Sequence, residues 1–321
     1  MTSALTRDDL VALAYRAGWA VTARVPDGLA SAAFAAGADR ASHGGTGPAQ
    51  LRANLARVVG PAAVTRDLVR DSMRSYMRYW KEAFQLPRIQ GPELLRRLDR
   101  GFDPAELEVL RESRADGRGT VLVLPHSGNW DMAGLWLANN YGTFTTVAER
   151  LRPESLFDAF VAYRESLGFR IIALTGSEQP PFEAMVEVLE NDGIVCLLGD
   201  RDLSGHGVPV SFFGERTSIP AGPALLAQRT GANLHVVHSY FDGPGWGFRV
   251  NTPTDTARPL AEVVQDTADQ MAANIAANPA DWHMLQPLWF DDLSDRRRLR
   301  AEGGDASDAT SGSTGDGVSD R

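Results

Sequence analysis

TVLVLPHSGNWDMAG, residues 120–134, holds the transition on which the fold turns. TVLVLP is a short run of apolar, partly β-branched residues, the composition of a buried strand. Pro125 closes it, and His126, Ser127 and Gly128 make a turn-rich approach to a helix beginning near Asn129. The strand therefore ends on a histidine, with Asp131 five residues later in the first helical turns.

Downstream the same rhythm repeats. TFTTVAE (143–149) reads as a strand, ESLFDAFVAYRESLG (154–168) as a helix closed by Gly168, RIIAL (170–174) as a strand, PFEAMVEVLEND (181–192) as a helix and IVCLLG (194–199) as a fourth strand. HVVHSYFDGPGWGFRV (235–250) reads as two strands joined by a Gly/Pro turn, and EVVQDTADQMAANIAAN (262–278) as a late helix. Alternation of this kind predicts an α/β fold, a central and mostly parallel β-sheet flanked by helices.

Upstream the pattern is helical. Residues 47–111 carry helical spacing, and within RDLVRDSMRSYMRYWKEAF the residues Arg66, Arg70, Arg74 and Arg78 stand four apart on one face, near Tyr76, Tyr79 and Trp80. A solvated face and a contact with phosphates or lipid head groups are both open for that stripe. Thr6 and Asp9 resemble a capping box ahead of Leu10, Leu13, Ala14 and Ala17, and an Ala-rich stretch after Pro26 makes a second helix through Ala38. With Arg16 and Arg24 beside Tyr15 and Trp19, these helices either lie in a bilayer interface or form a lid on the core. After Arg300 the chain is rich in Gly, Ser and Asp and poor in apolar residues, the composition of a disordered acidic tail. The expected organisation is amphipathic N-terminal helices over 1–45, facing a membrane, an α/β domain over 46–300 and the tail over 301–321.

Hydrophobic residues make up 43% of the 321 and charged ones 23%, enough apolar material for a sizeable core. The formal charge of −9 is unevenly spread: residues 1–100 hold 15 Lys+Arg against 9 Asp+Glu, a net of +6, which leaves −15 for the remainder. An acidic body with a basic first third argues against nucleic acid and leaves room for an anionic membrane surface as partner. Cys196, in IVCLLG, is the single cysteine, so no disulfide forms within the chain, and it reads as core. MTSALTRDDL begins polar and acidic where a signal peptide is basic and then apolar, and no stretch approaches the roughly 20 apolar residues of a spanning helix. The expectation is a cytoplasmic protein, dissolved or lying on a membrane.

In an open α/β sheet, sites form beyond the carboxyl ends of the strands. His126 follows the first strand, Glu149 the second, and Asp200, Arg201 and Asp202 the fourth. The spacing of His126 and Asp131 lets the carboxylate fold back onto one imidazole nitrogen while the other faces the cleft, a base with its orienter. A capping histidine beside an unrelated helix aspartate is the structural alternative. Neither G-x-S-x-G, H-E-x-x-H, paired cysteines nor a G-x-x-x-x-G-K loop occurs, and His235 and His238 would point to opposite faces of a strand, so no metal site is expected. Proton transfer without a metal or nucleotide loop is what remains.

His126-SGNW-Asp131 resembles the H-x4-D signature of the glycerolipid and lipid A acyltransferase superfamily. GDRDLSGHGVPVSFFGERTSIPAGPALLAQRTGANL (199–234) resembles the second block of its lauroyl/myristoyl lipid A branch, and NPADWHMLQPLWF (278–290) that branch's closing block, here without the usual basic pair. PHSGNWDMAG, GTFTTVAERLRPESL, YRESLGF and NPADWHMLQP are more similar still to the actinobacterial phosphatidylinositol mannoside acyltransferases. The resemblance runs from about residue 45 to 292. It implies a peripheral enzyme on the cytoplasmic face of the plasma membrane that moves a long acyl chain, commonly palmitoyl, from acyl-CoA to a mannose hydroxyl of a phosphoinositol glycolipid, without a cofactor. It also implies His126 as base with Asp131 as partner, and Glu149, Arg164, Asp200, Arg201 and His283 as residues that hold the sugar or order the cleft, although relatives often carry Glu in place of Asp200. A thioester is already activated, so the chemistry needs a base, an oxyanion donor and a dry slot for the alkyl chain, for which Trp130, Phe212 and Phe213 are candidates, with core packing the bland reading of each phenylalanine. Arg150 and Arg164 are open to CoA phosphates or to pairing with Glu154 and Glu165. Other readings are a different glycolipid acceptor, an acyl-carrier-protein donor, thioester hydrolysis, or a lipid-binding protein without catalysis.

Overall fold

Strand β1 (Thr120–Leu124) lies at the middle of a six-stranded sheet and is buried along nearly its whole length, which is why its sequence is apolar on both faces. The computed structural model describes residues 18–19, 21–22, 24–150, 153–176, 179–202 and 205–293. Before β1 come helices α1 (Asp27–Ala41), α2 (Ala49–Val59), α3 (Arg66–Ile89), α4 (Pro92–Asp99) and α5 (Pro104–Ala115). After it the chain runs α6 (Trp130–Tyr141), β2 (Phe144–Ala148), α7 (Glu154–Glu165), β3 (Phe169–Ala173), α8 (Pro181–Glu190) and β4 (Ile194–Leu198). A hairpin of β5 (Val208–Phe212) and β6 (Glu215–Ile219) follows, then α9 (Gly222–Thr230), β7 (Asn233–Asp242), β8 (Gly245–Val250) and α10 (Leu260–Ala277).

The strand order is β3-β2-β4-β1-β7-β8, parallel throughout except for β8, which returns antiparallel to β7 at the edge. From β1 the chain crosses to β2 on one side, whereas from β4 it crosses to β7 on the other. The neighbours β1 and β4 thus flank the point where the winding reverses, the place where open α/β sheets build their sites. Their register pairs Leu124 with Leu198, so both strands end level. The α/β expectation and the mostly parallel sheet agree with this, element by element. The hairpin β5–β6 is an addition that the sequence reading did not assign to strands.

Two cores cover the two faces. On one, α8, α9, α10 and the hairpin pack Met185, Leu189, Leu226, Val263 and Met271 against Val121, Val123 and Val236, with Trp282 and Trp289 sealing the edge. On the other, α3 to α7 contribute Leu86, Leu98, Leu110, Met132 and Tyr163 over Leu122 and Phe144. A smaller cluster, with Leu51, Leu55, Val69 and Met73, joins α1, α2 and α3. Phe212 and Phe213 belong to the first core, packed among Trp282 and Trp289, and not to the cavity described below, so of the two readings open for them core packing is the one the fold adopts. Trp289 Nε1 donates to the Phe212 carbonyl and Thr217 Oγ1 to the Leu288 carbonyl, so the hairpin is pinned to the closing segment.

The arginine stripe of α3 is largely absorbed by the fold. Arg70 pairs with Asp67, Arg74 reaches Asp39 on α1 at 2.6 Å, and Arg78 pairs with Glu82 while capping the carbonyls of Gly243 and Gly245. Trp19 packs on Phe84, Phe160 and Tyr163, as a lid would, whereas Val21 and Leu29 stand exposed. The helix start at Thr6 and the tail at 301–321 lie outside the described residues. Among the described residues no helix is long and apolar enough to cross a membrane.

Candidate active site

Two residues past the level ends of β1 and β4 stand His126 and Asp200, side by side because the strands are neighbours in register. Asp200 Oδ1 lies 2.6 Å from His126 Nδ1, and Oδ2 accepts from the His126 backbone N–H and from Trp282 Nε1, both at 2.9 Å. Burial works against the Asp200 charge, but His126 and these donors outweigh it and hold its pKa below the usual carboxylate range. An ionised carboxylate only accepts, so Nδ1 is the nitrogen that carries its proton toward Asp200, and the tautomer this selects has its lone pair on Nε2. Asp200 is fully buried, while the His126 side chain is 31% exposed. A buried carboxylate thus aims a half-buried imidazole.

This arrangement corrects the pairing expected from spacing. Asp131 does not meet the imidazole: its Oδ1 accepts from Arg164 Nε at 3.1 Å and its Oδ2 from the Tyr79 hydroxyl at 3.2 Å. The reason is helical geometry. Asn129 caps α6 by accepting from the Met132 N–H, and this winding turns Asp131, one residue inside the helix, toward α3 and α7 and away from the strand end. Burial disfavours the Arg164 charge, yet Asp131 beside it more than compensates and raises its pKa. Tyr79 is driven well above its ordinary value by burial and then by the same carboxylate.

The turn between β1 and α6 is clamped from several directions. Gly128 has φ +55, and a Cβ there would sit 2.4 Å from the Ser239 carbonyl oxygen, so only glycine passes. Its N–H donates to the Asp281 carbonyl, and the His283 N–H donates to the His126 carbonyl at 2.7 Å, a two-bond clasp by the closing segment. Asn129 Nδ2 donates to Glu82, which also accepts from Trp246 Nε1, and the Asn129 N–H donates to Ser239 Oγ. Ser75 Oγ donates to Asp281 Oδ1 at 2.6 Å and contacts His283 Nε2 at 2.9 Å. Burial raises the pKa of Asp281 and lowers that of His283 to about 3, so the histidine is neutral. Ser75, Tyr79 and Glu82 lie at i, i+4 and i+7 on α3. That spacing is the signal the sequence holds for them, on a face of the helix different from the arginine stripe. Trp282 was likewise missed as the second donor to Asp200.

Bordered by Trp130 runs an apolar cavity of about 100 Å³, partly open to solvent. Leu122, Leu124, Gly134, Leu137, Phe169 and Cys196 line it. Trp130 forms part of its wall and meets the His126 ring edge-on at 5.8 Å, and the Asp131–Arg164 pair lies in the same wall. Burial pushes the Cys196 thiol up, which keeps it an inert part of the lining. Of the residues expected to hold a sugar, Asp200 and His283 converge on His126, Arg164 borders the cavity, and Glu149 and Arg201 stand one residue past β2 and three past β4, exposed and half-buried respectively. Arg150 pairs with Glu154.

A family model described as bacterial lipid A biosynthesis acyltransferase matches residues 3–290. Curated relatives include the phosphatidylinositol mannoside acyltransferase of Mycolicibacterium smegmatis, 54% identical over 291 residues, which are 90% of this chain and 94% of that protein. Another of the same name, from Mycobacterium tuberculosis, is 54% identical over 291 residues, covering 89% of this chain and 91% of the relative.

Proposed function

Because the chain belongs to the bacterial lipid A biosynthesis acyltransferase family, we propose that it moves a long-chain acyl group, palmitoyl foremost, from acyl-CoA to a mannose hydroxyl of phosphatidylinositol mannoside. The observation that carries the reading is the imidazole of His126, oriented by a buried carboxylate and set edge-on against Trp130, a wall residue of an apolar cavity. The alkyl chain lies in that cavity. His126 Nε2 takes the proton of the mannose hydroxyl as its oxygen attacks the thioester carbonyl. The new C–O bond forms, the C–S bond breaks, and the imidazolium returns its proton to the departing CoA thiolate. Asp200 stabilises the imidazolium and keeps Nε2 toward the cleft. The thioester supplies the activation, so no cofactor is needed.

His283, Arg201 and Glu149 are assigned to the sugar side, and the Asp131–Arg164 pair to shaping the cavity wall. Palmitoyl-CoA and phosphatidylinositol monomannoside incubated with the purified protein should give a glycolipid heavier by one palmitoyl group in mass spectrometry, absent for His126→Ala. Free palmitate and CoA alone would mean that the acceptor is wrong, and no turnover with any acyl-CoA would favour a lipid-binding role. The basic first third and the exposed Val21 and Leu29 support peripheral contact with the anionic cytoplasmic face of the membrane.

A further inference from the structure

The β5–β6 hairpin turns through two residues, Phe213 at φ +53 and Gly214 at φ +80, between the paired Phe212 and Glu215. Positive φ at both central positions is the type I′ turn, whose first place suits Asn, Asp or Gly. A bulky side chain there is strained, and strain persists only where its surroundings repay it. The Phe213 ring points to what does so. It lies against Phe212 at 4.6 Å and Trp282 at 6.2 Å between centroids. Trp282, only 1% exposed, donates its indole N–H to Asp200 Oδ2, and Asp200 Oδ1 holds His126 Nδ1. Phe213 is thus the outermost, half-exposed ring of a chain that ends on the base.

We infer that Phe213 is a positioning residue for His126, a strained hairpin-tip ring that keeps water off the Trp282–Asp200 hydrogen bond. The inference rests on the acyl-transfer reading for its kinetic arm. The terminal torsion of an aspartate is soft and two-fold, so its orientation is set by its hydrogen-bond donors. Water competing for Oδ2 loosens the carboxylate, and Oδ1 then no longer holds the imidazole in one tautomer and direction. In a dry, low-dielectric setting the Trp282 bond is stronger and the orientation unique. The hairpin is pinned at both strands by Trp289 and Leu288, so the ring cannot be supplied from a relaxed turn.

The test compares Phe213→Asn, which suits the turn but removes the ring, with Phe213→Tyr, which keeps it. Three readouts are taken: the melting temperature, kcat and KM for palmitoyl-CoA well below melting, and the downfield proton of the His126 Nδ1–H···Asp200 bond, assigned by its loss in His126→Ala. Phe213→Asn should melt within a few degrees of wild type. Its kcat should fall about 10- to 100-fold at unchanged KM, with the proton resonance broadened by exchange with water. Phe213→Tyr should match wild type in all three. A wild-type kcat in Phe213→Asn overturns the inference, and so does a lost kcat with the resonance intact. If wild type transfers no acyl group while the resonance still broadens in Phe213→Asn, the acyl-transfer reading fails and the positioning role stands.

Discussion

A carboxylate 2.6 Å from Nδ1 sets both the tautomer and the direction of the His126 ring. Asp200→Asn is expected to lower kcat about 10²- to 10⁴-fold while leaving KM for acyl-CoA near wild type, because the amide can present its N–H to the imidazole and select the wrong tautomer. Steady-state kinetics decide it, and undiminished turnover would reduce Asp200 to a scaffold. Asp131→Asn should behave differently. It strands the Arg164 guanidinium in a wall where its partner is 1% exposed, and loss of one member of such a pair costs about 3–5 kcal/mol, visible as a lower urea midpoint. At this scale the sequence exposed the histidine and both aspartates but paired the wrong ones. Five residues of separation made Asp131 look close, whereas Asp200 becomes close only when two strands 74 residues apart lie side by side.

Helices α3 and α6 meet at the turn after β1 through Glu82, whose carboxylate serves Asn129, Trp246 and Arg78 together. Glu82→Ala leaves two buried donors unpaired, each costing about 1–3 kcal/mol, so a clear drop in melting temperature is expected, with kcat falling too because Asn129 starts the helix after His126. Arg74→Ala, which removes an exposed pair with Asp39, should shift melting little. If Glu82→Ala melts like wild type, the junction is held by packing alone. Most elements were legible, since apolar periodicity and closing glycines are local signals; TVLVL and IVCLL announced themselves as buried parallel strands. The β5–β6 hairpin was not, because Pro209 interrupts one strand and the turn is Phe-Gly where Asn-Gly would be the cue.

Among the described residues His238 and His283 are buried imidazoles with their pKa lowered to about 3, chiefly by burial. Unfolded, each would bind a proton below about pH 6.5. Between pH 6.5 and about 3 the unfolded state therefore binds more protons than the native one, and stability falls on acidification by about 1.4 kcal/mol per pH unit for each histidine. Urea titrations from pH 7 to 5 should show this slope, and His238→Phe should reduce it; a flat profile would mean that these rings are solvated. For the membrane side, co-sedimentation with vesicles rich in phosphatidylinositol should exceed that with phosphatidylcholine and weaken with salt. By itself the sequence determined the alternation of strands and helices, the histidine at a strand end and the charge asymmetry, because composition and periodicity are properties of contiguous residues. Only the tertiary structure decided which carboxylate orients His126, which aromatic rings line the cavity and which pack in the core, and why a phenylalanine occupies a turn that suits asparagine. Those outcomes depend on the register of β1 against β4 and on the closing segment laid across both, long-range contacts that no local pattern encodes.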